Sequence, residues 1–512
     1  MIYALKINPK DMVAIVPKSI DAGEEVRVSG TQEQVIAREA IPAGHKIALM
    51  DLKQGDLVVK YGIPIGRMMS DCPAGGWVHC HNLEDNTAEL CTGYCEKYRE
   101  SGRKIMAYPR ADGQFGIRNY LMIFSTSIAG NALAEQLSNA TSTVWWVCDK
   151  RFLEDGHISD FTKMAIEKTA ENPNIYAALI VGDEADRARN ESICAEIREV
   201  SKKDVCFCAA DGGAEALRQG TETLERWQAA AAALKREPVS MEGFMMAVHC
   251  GGSDWTTALS GNPTLGVAAD HIVEEGGYVV MDEWGGLPGS EHLLAGSART
   301  RKLGLEIIDK VMEVRERYIR DTGKPVEETN PYQCNKDGGI TTLVEKSTGN
   351  IKKAGSSGVQ GILKMATRPT TPGVYLQDQP CGGPNGTGIY AAMCGCHVHV
   401  FVTGVGYVYY EIPYMPGIRM TGNSETFANP VYKLDFNAGT AMEGHPMADV
   451  GKELFEYIIA VAEGREEPKT EKDKLLCFPM YYYADEFAEL DGYYDIDKNR
   501  DMVQKKVQDI KE

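Results

Sequence analysis

The chain has 512 residues, of which 43% are hydrophobic and 25% are charged. This is the composition of an ordinary globular protein, and the length requires more than one hydrophobic core. The net charge of −19 argues against nucleic acid or an anionic membrane surface as a partner, because both would repel an acidic protein.

Targeting and membrane signals are absent from the sequence pattern. The N-terminus lacks a basic segment followed by a long apolar run, and no stretch of about 20 apolar residues could span a bilayer. Fourteen cysteines in such a chain are more typical of reduced thiols than of a disulfide framework. We therefore expect a cytoplasmic protein.

The first predicted elements, over residues 1–83, are short strands separated by Pro, Gly and Asp turn signals. Almost no helical periodicity interrupts them, which indicates a compact β-clip or barrel-like module. The polar segment 84–104 is expected to be a linker.

Strands and helices alternate from residue 105 onward, which predicts α/β domains with largely parallel sheets. We place one such domain at 105–235 and a second at 243–465, with a C-terminal tail at 466–512 that contains tyrosines 481–483. The fold class predicted for the whole chain is therefore α/β, preceded by the small β module.

Glycine-rich polar loops follow four predicted strands or strand-like segments, at 249–266, 282–298, 330–349 and 378–388. Ligands bind beyond the carboxyl ends of strands in open α/β sheets, so a site is expected among these loops. A plain turn, a favourable helix start or a solvated lysine would explain any one loop alone. The side chains of interest are Cys250, Ser253, Asp254, Glu291, His292, Lys336 and Lys346.

Two His-x-His pairs, His79/His81 and His397/His399, are the remaining candidates for chemistry. On a strand, such a pair projects from one face and suits chelation of a single ion. The alternatives are a polar corner of the β module for the first pair and a buried strand for the second. No G-x-S-x-G, Walker or G-x-G-x-x-G motif points to another chemistry.

Several stretches together resemble one family, the altronate and galactarate dehydratases. "IPAGHKIALMDLKQGDLVVKYGIPIGRMMSD" with "GWVHCHN" resembles the family's N-terminal SAF-type module, and "YPRADGQFGIRNYL" resembles the segment that joins it to the catalytic part. "CGGSDWTTALSGNPTLG", "GSEHLLAGSA", "NKDGGITTLVEKSTG" and "DFNAGTAMEG" resemble the catalytic-region motifs in the same order.

The resemblance implies a metal-dependent lyase that removes water from a sugar acid to give a 2-keto-3-deoxy acid. The metal would be Fe(II), with Mn(II) or Zn(II) as alternatives. By the same resemblance, the metal or catalytic residues would be His79, His81, Cys250, Glu291 and His292, with His292 slightly preferred as the base. The substrate would be held by Arg118, Asn119, Ser253, Asp254, Lys336 and Lys346.

This chain also departs from the family pattern. Where the family commonly carries "TTGRGS", the chain has "VTGVGYVYYEIPYMPG", which loses an arginine and gains aromatic residues from Tyr407 to Tyr414. "DQPCGGPNGTG" and "DEWGGLPG" are also unusual. These departures leave open which acid is the substrate.

Three functions therefore compete. The first is dehydration of an aldonate or aldarate. The second is release of sulfite from a small sulfonated acid such as sulfolactate, which uses the same carbanion chemistry. The third is a catalytically silent binding homologue. A small hydroxy acid is the expected ligand, and a homodimer the expected assembly.

Overall fold

A computed structural model describes residues 2–6, 9–29, 31–60, 63–84, 98, 102–148, 153–378, 384–407 and 411–475. Its contacts divide the chain into two compact units. The first comprises Met1–Tyr94 and Ala295–Leu305, and the second comprises Cys95–Leu294 and Glu306–Glu512. Tyrosines 481–483 and most of the predicted linker lie outside the described residues.

Short strands in three small sheets build the N-terminal part of the first unit, as the sequence predicts, and no helix occurs in the described part of 2–84. The sheets are β1-β3-β4, β2-β5-β8 and β6-β7-β9. Alternation of apolar and polar residues buries one face, as in β3, where Val26 and Val28 are buried. The strands are β1 (Ile2–Ala4), β2 (Val13–Ile15), β3 (Glu25–Val28), β4 (Gln34–Ile36), β5 (Lys46–Ala48), β6 (Leu57–Lys60), β7 (Ile63–Met68), β8 (Trp77–Val78) and β9 (Leu83–Glu84).

The second unit begins with an α/β region built on a four-stranded parallel sheet in the order β13-β12-β16-β17. A small antiparallel sheet, β11-β10-β18, accompanies it. The strands are β10 (Lys104–Pro109), β11 (Phe115–Gly116), β12 (Tyr120–Ser125), β13 (Val144–Trp146), β14 (Leu153–Glu154), β15 (His157–Ile158), β16 (Ile175–Gly182), β17 (Asp204–Ala209) and β18 (Glu237–Ser240). The helices are α1 (Ile128–Thr141), α2 (Asp160–Glu171), α3 (Arg187–Ser201) and α4 (Gly213–Ala233).

A seven-stranded, all-parallel sheet forms the rest of the second unit, in the order β21-β22-β20-β19-β23-β24-β25. Its strands are β19 (Met245–Cys250), β20 (Tyr278–Met281), β21 (Val359–Leu363), β22 (Gly373–Gln377), β23 (Val398–Thr403), β24 (Gly417–Thr421) and β25 (Phe436–Asn437). All six residues of β19 and all six of β23 are buried. Continuous burial is typical of a parallel sheet covered on both faces.

Ten helices follow β19 along the chain in the described residues. They are α5 (Asn262–Glu274), α6 (Glu291–Gly296), α7 (Arg301–Thr322), α8 (Val326–Thr329), α9 (Gln333–Asp337), α10 (Leu343–Asn350), α11 (Pro384–Met393), α12 (Ser424–Ala428), α13 (Met447–Ala462) and α14 (Lys469–Lys472). A π-helical turn at Thr257–Gly261 precedes α5. None of the described helices is both long and apolar enough to cross a membrane.

The structure confirms the predicted α/β class. The predicted order of alternating strands and helices corresponds to β12, α1, β13, β16, α3, β17 and α4, and later to β19, β20, β22 and β23. One local expectation was wrong. Asn335, Lys336 and Asp337 lie in helix α9 and not in a loop, because Oδ1 of Asn335 accepts from the backbone N–H of Tyr332 at 3.0 Å and so satisfies a donor at the start of the helix.

Candidate functional site

The candidate site lies at the carboxyl edge of the seven-stranded sheet. β19 pairs with β20, the next strand along the chain, on one side and with β23 on the other side. The strand order therefore reverses between β19 and β23, and open α/β sheets bind ligands outside such a switch point. The loop after β19 contacts the loop after β23 here, since the backbone N–H groups of Gly404 and Val405 both donate to the carbonyl of Gly252 at 3.0 Å.

His249 and Asp282 form a buried pair at this edge. Nδ1 of His249, in β19, lies 3.0 Å from Oδ1 of Asp282, the first residue after β20. Nε2 of His249 faces Oε1 of Glu283 at 3.6 Å. Burial lowers the pKa of His249, and the nearby Lys353 adds to this, although Asp282 opposes it. The imidazole is therefore neutral near pH 7, and Asp282 favours the tautomer with its proton on Nδ1.

Cys250 ends β19 and is the centre of a second set of polar contacts. Its backbone N–H donates to Oε2 of Glu283 at 3.2 Å. The ammonium of the fully buried Lys353 forms an ion pair with the same carboxylate and hydrogen-bonds to Asn350. The side chains that surround the Cys250 sulfur are Asn350 at 3.4 Å, Glu283 and Lys353 at 3.6 Å, and Ser253 and Asn262 at 3.7 Å.

We call His249, Cys250, Asp282, Glu283, Asn350 and Lys353 the catalytic cluster. Glu283 is its most accessible ionised group, with 14% of its side chain exposed. Burial lowers the pKa of Lys353, and the sulfur of Cys250 and the carboxylate of Asp282 oppose that effect. The cluster combines a base, a buried cation and two carboxylates within one sheet edge.

The loop at 251–254 closes over the cluster. Gly252 has φ +58°, and a Cβ there would lie 2.7 Å from Cβ of Tyr407, so the position requires glycine. Neither the backbone N–H of Gly252 nor that of Ser253 donates a hydrogen bond within the described part of the chain. Asp254 holds the loop, because its Oδ1 accepts from Thr256 Oγ1 at 2.6 Å and from Thr257 N at 3.0 Å.

Lys346 lies beside this loop, whereas Lys336 is exposed on α9. Nζ of Lys346 donates to Oδ1 of Asn330 at 2.7 Å and to Oδ1 of Asn335 at 3.1 Å. Nδ2 of Asn335 in turn donates to the carbonyl of Ser253 at 2.8 Å. Burial lowers the pKa of Lys346, and the sulfur of Cys250 opposes this. The structure thus brings Cys250, Ser253, Asp254 and Lys346 together, four of the residues that the sequence singled out.

Glu291 and His292 begin α6, as the sequence predicts. Oε2 of Glu291 accepts from the backbone N–H of Gly289 at 2.5 Å, and His292 is exposed. No hydrogen bond or ion pair in the described part of the second unit joins either residue to the catalytic cluster. Their catalytic and metal roles therefore stay predictions.

His79 and His81 belong to the first unit. β8 ends at Val78, so the pair lies in a turn, and the alternation expected of a strand does not apply. The ring of His79 stacks on Trp77 with centroids 5.5 Å apart, and the ring of His81 lies 5.0 Å from the same indole. Desolvation and the nearby His45 lower the pKa of His79. Their roles as ligands or catalysts also stay predictions.

The second histidine pair is built into the sheet. Nδ1 of His397 accepts from the backbone N–H of Met245 at 3.0 Å, and its Nε2 donates to the carbonyl of Phe115 at 2.8 Å. Neither ring nitrogen of His397 is left for a metal. Nδ1 of His399 pairs with Oε2 of Glu411 at 2.6 Å, and both residues are fully buried.

Arg118 and Asn119 line a different cavity of about 300 Å³, beside β12 and α4. The Arg118 guanidinium forms a bidentate ion pair with Glu471, at 3.0 and 2.7 Å, and donates to the carbonyls of Ile117 and Val461. Within the described residues, no hydrogen bond or ion pair connects it to the catalytic cluster. The carboxylate-binding roles of Arg118 and Asn119 stay predictions.

The metal ion that the resemblance implies can be tested against these side chains. Among the described residues, no group of three or more His, Cys, Asp or Glu side chains is placed to hold a metal. In the catalytic cluster, the ammonium of Lys353 already contacts both the Cys250 sulfur and the Glu283 carboxylate. The described residues therefore do not fit a metal in this arrangement, and no step of the mechanism below passes through one.

Sequence reasoning missed four members of the cluster, His249, Glu283, Asn350 and Lys353, and gave Asp282 no role. Part of the signal was present, since His249 is the penultimate residue of a predicted strand and two acidic residues follow the next one. Lys353 carried no such signal. It follows a helix 103 residues beyond Cys250, and only the packing of that segment under β19 brings the two together.

Comparison with known families gives matches along most of the chain. The model for the altronate/galactarate dehydratase SAF domain matches residues 2–86. The model for the second domain of D-galactarate dehydratase/altronate hydrolase matches residues 107–232. The C-terminal domain model for D-galactarate/altronate dehydratase matches residues 241–482. This matched segment contains the catalytic cluster.

Individual relatives agree with these matches. The chain is 30% identical to altronate dehydratase of Escherichia coli K12, over 90% of this chain and 95% of that protein. It is 26% identical to galactarate dehydratase (L-threo-forming) of the same organism, over 91% and 94%. It is also similar to (2R)-sulfolactate sulfo-lyase subunit beta of Chromohalobacter salexigens, with 29% identity over 71% of this chain and 94% of that subunit.

Proposed function

This chain belongs to the altronate and galactarate dehydratase family and is a hydro-lyase, and we propose that it converts a hydroxylated sugar acid, such as an altronate-like aldonate or an aldarate, into its 2-keto-3-deoxy acid. The observation that carries the proposal is the catalytic cluster at the switch point of the seven-stranded sheet. It supplies a neutral base and a buried cation side by side.

The difficult step is removal of the proton at C2. A proton beside a carboxylate is very weakly acidic, so the developing enediolate needs positive charge and hydrogen-bond donors in fixed positions. Lys346 lies beside the 251–254 loop, linked to it through Asn335, and within that loop the backbone N–H groups of Gly252 and Ser253 donate no hydrogen bond among the described residues. We assign them to the substrate carboxylate.

His249 is the base in this proposal. Asp282 holds the proton on Nδ1, so Nε2 is the ring nitrogen that accepts the proton from C2. The lowered pKa of His249 keeps the imidazole unprotonated at neutral pH, the state that a base requires.

Lys353 acts on the leaving group. As the C2–H electron pair forms the C2–C3 double bond, the C3–O bond breaks, and the departing hydroxyl takes a proton from the Lys353 ammonium. Water leaves, and the resulting enol tautomerises to the 2-keto acid. Glu283 forms an ion pair with Lys353, and an adjacent carboxylate favours the charged form of a lysine, which opposes the effect of burial on its pKa.

The described residues do not fit a divalent metal as they are arranged, so the metal is proposed from the resemblance alone and enters no step of this mechanism. Fe(II) is expected first, with Mn(II) and Zn(II) as alternatives. We also propose, from the resemblance alone, that the protein assembles as a homodimer.

The test is an anaerobic assay of the full-length protein with and without added Fe(II), on C3–C6 aldonates, aldarates and sulfolactate. Release of 2-keto acid from a sugar acid supports the proposal, and its loss in His249→Asn supports the assigned base. His79→Ala, assayed beside it, decides whether that turn takes part. Sulfite from sulfolactate without keto acid from any sugar acid would instead favour a sulfo-lyase. If none of the acids gives a product, the result would favour the catalytically silent binding homologue.

A further inference from the structure

Large apolar side chains are exposed on the loops at the mouth of the site. Val405 and Tyr407, in the loop after β23, are 37% and 41% exposed, and Trp255, directly after the 251–254 loop, is 49% exposed. Single exposed apolar residues need no explanation, but a group of them beside a candidate site indicates contact with a ligand or a partner.

Val405 and Tyr407 pack against the 251–254 loop. The backbone N–H of Val405 donates to the carbonyl of Gly252, and that of Tyr407 donates to Oγ1 of Thr403 at 2.9 Å. A Cβ on Gly252 would come within 2.7 Å of Tyr407 and 3.1 Å of Val405. Both side chains therefore lie beside Gly252, which is the residue before Ser253. The hydroxyl of Ser253 hydrogen-bonds to the Cys250 sulfur.

The two sides of the site therefore differ in polarity. On the β20 side of β19 lie the charged groups of Asp282, Glu283 and Lys353. On the β23 side lie Val405 and Tyr407, and the ring of Phe401 stacks on His249 with centroids 5.8 Å apart. β20 and β23 are separated by two strand spacings, about 10 Å, which is the length scale of an extended six-carbon acid.

We propose that the substrate of this site is a hydroxy acid whose far end is apolar, as in a 6-deoxyhexonate with a terminal methyl group. The inference rests on the dehydratase function proposed above and names its substrate class. The carboxylate lies with the lysines, the reacting C2 and C3 lie against the catalytic cluster, and the methyl group contacts Val405 and Tyr407. An aldarate would place a second carboxylate against the side chains of Val405 and Tyr407, an apolar surface that suits a methyl group better than a charged group.

The test compares kcat/KM for matched pairs of acids that differ only at C6, the methyl and the hydroxymethyl form. The parent protein is expected to favour the 6-deoxy acid by about 10- to 100-fold, the range over which an apolar pocket discriminates against an added hydroxyl. Val405→Thr and Tyr407→Ser are expected to bring the ratio toward one.

Val200→Thr is the matched control, because Val200 is 44% exposed on α3, outside the site. It should leave the preference intact. Equal turnover of the two C6 forms by the parent, a preference for the hydroxymethyl acid or the aldarate, or a ratio unchanged in both site variants would each overturn the inference. In all three cases keto acid still forms, whereas failure of the proposed function would leave no keto acid from any substrate.

Discussion

The imidazole of His249 is held by Asp282, whose Oδ1 lies 3.0 Å from Nδ1, and both side chains are almost fully buried. They come from neighbouring parallel strands, β19 and β20, which end at the same edge of the sheet. A carboxylate that accepts a hydrogen bond from Nδ1 of a histidine fixes both the tautomer and the orientation of the imidazole. Nε2 of His249 therefore lies on the side of Glu283, where the proposed mechanism places the substrate.

Asp282→Asn is expected to lower kcat by about 100- to 10,000-fold, the usual contribution of a positioned general base. The amide can hydrogen-bond to either tautomer, so the proton moves to Nε2 in part of the molecules and blocks the base. KM should change little, because Asp282 does not bind substrate in this mechanism.

Steady-state kinetics of purified Asp282→Asn, with a circular dichroism check on folding, measures this effect. Asp183→Asn is the matched control. Asp183 directly follows a parallel strand as well, β16, and accepts a hydrogen bond from Ser127 at 3.0 Å, but it belongs to the other parallel sheet. An Asp282→Asn variant as active as the control would remove His249 from the role of base.

Lys353→Met is expected to abolish keto acid formation and to lower the free energy of unfolding by about 3–5 kcal/mol, the cost of leaving one partner of a buried ion pair uncompensated. Urea unfolding and activity are measured on the same preparation. Adding Glu283→Gln to Lys353→Met should restore most of the stability, since the unpaired charge is then gone, but none of the activity.

The neighbouring Lys352 provides the control for that experiment, because it is exposed in the same segment. Lys352→Met should behave like the parent in both measurements. Full activity of the Lys353→Met/Glu283→Gln protein would contradict the assignment of Lys353 to the leaving group.

The buried His397 is expected to make the protein lose stability in mild acid. Burial and the nearby Arg368 lower its pKa to about 3, below the ordinary value of 6.5 that it recovers on unfolding. Between these two values, the unfolded chain binds a proton that the folded protein does not, so stability falls as the pH drops below 6.5. At pH 5 the contribution is about 2 kcal/mol.

Urea unfolding at pH 7 and pH 5 measures this loss in three proteins: the parent, His397→Gln and His445→Gln. His445 is exposed and is the control. The difference between the two pH values should shrink by about 2 kcal/mol in His397→Gln only. An equal difference in all three proteins would mean that His397 is not held neutral in the folded state.

Metal dependence follows from the family resemblance, and we expect chelation to abolish activity and Fe(II) to restore it. Elemental analysis of the purified protein, before and after chelation, measures the iron bound per chain. Full activity after chelation, in protein without iron, manganese or zinc, would leave Lys346, Lys353 and the backbone donors as the charge-stabilising groups.

Local sequence patterns were sufficient for much of the fold. The continuous apolar run of β16 and the periodic apolar residues of α1 are buried as the sequence predicts. Local patterns were enough here because burial depends on residue type and spacing. The Gly-Gly turn after Cys250 was found in the same way, since only glycine tolerates its backbone. Ser253, Asp254 and Lys346 were found with it because they lie in recognisable strand-end loops.

Tertiary structure alone decided which of these segments meet. The order β21-β22-β20-β19-β23-β24-β25 is set by strand pairing between residues far apart in sequence, and the switch point between β19 and β23 follows from that order. Lys353 became part of the cluster by packing, and Arg118 became a partner of Glu471 by the same kind of long-range contact. The sequence by itself determined the dehydratase framework and its catalytic loop, whereas the identity of the buried base and cation depended on long-range packing, which local periodicity does not encode.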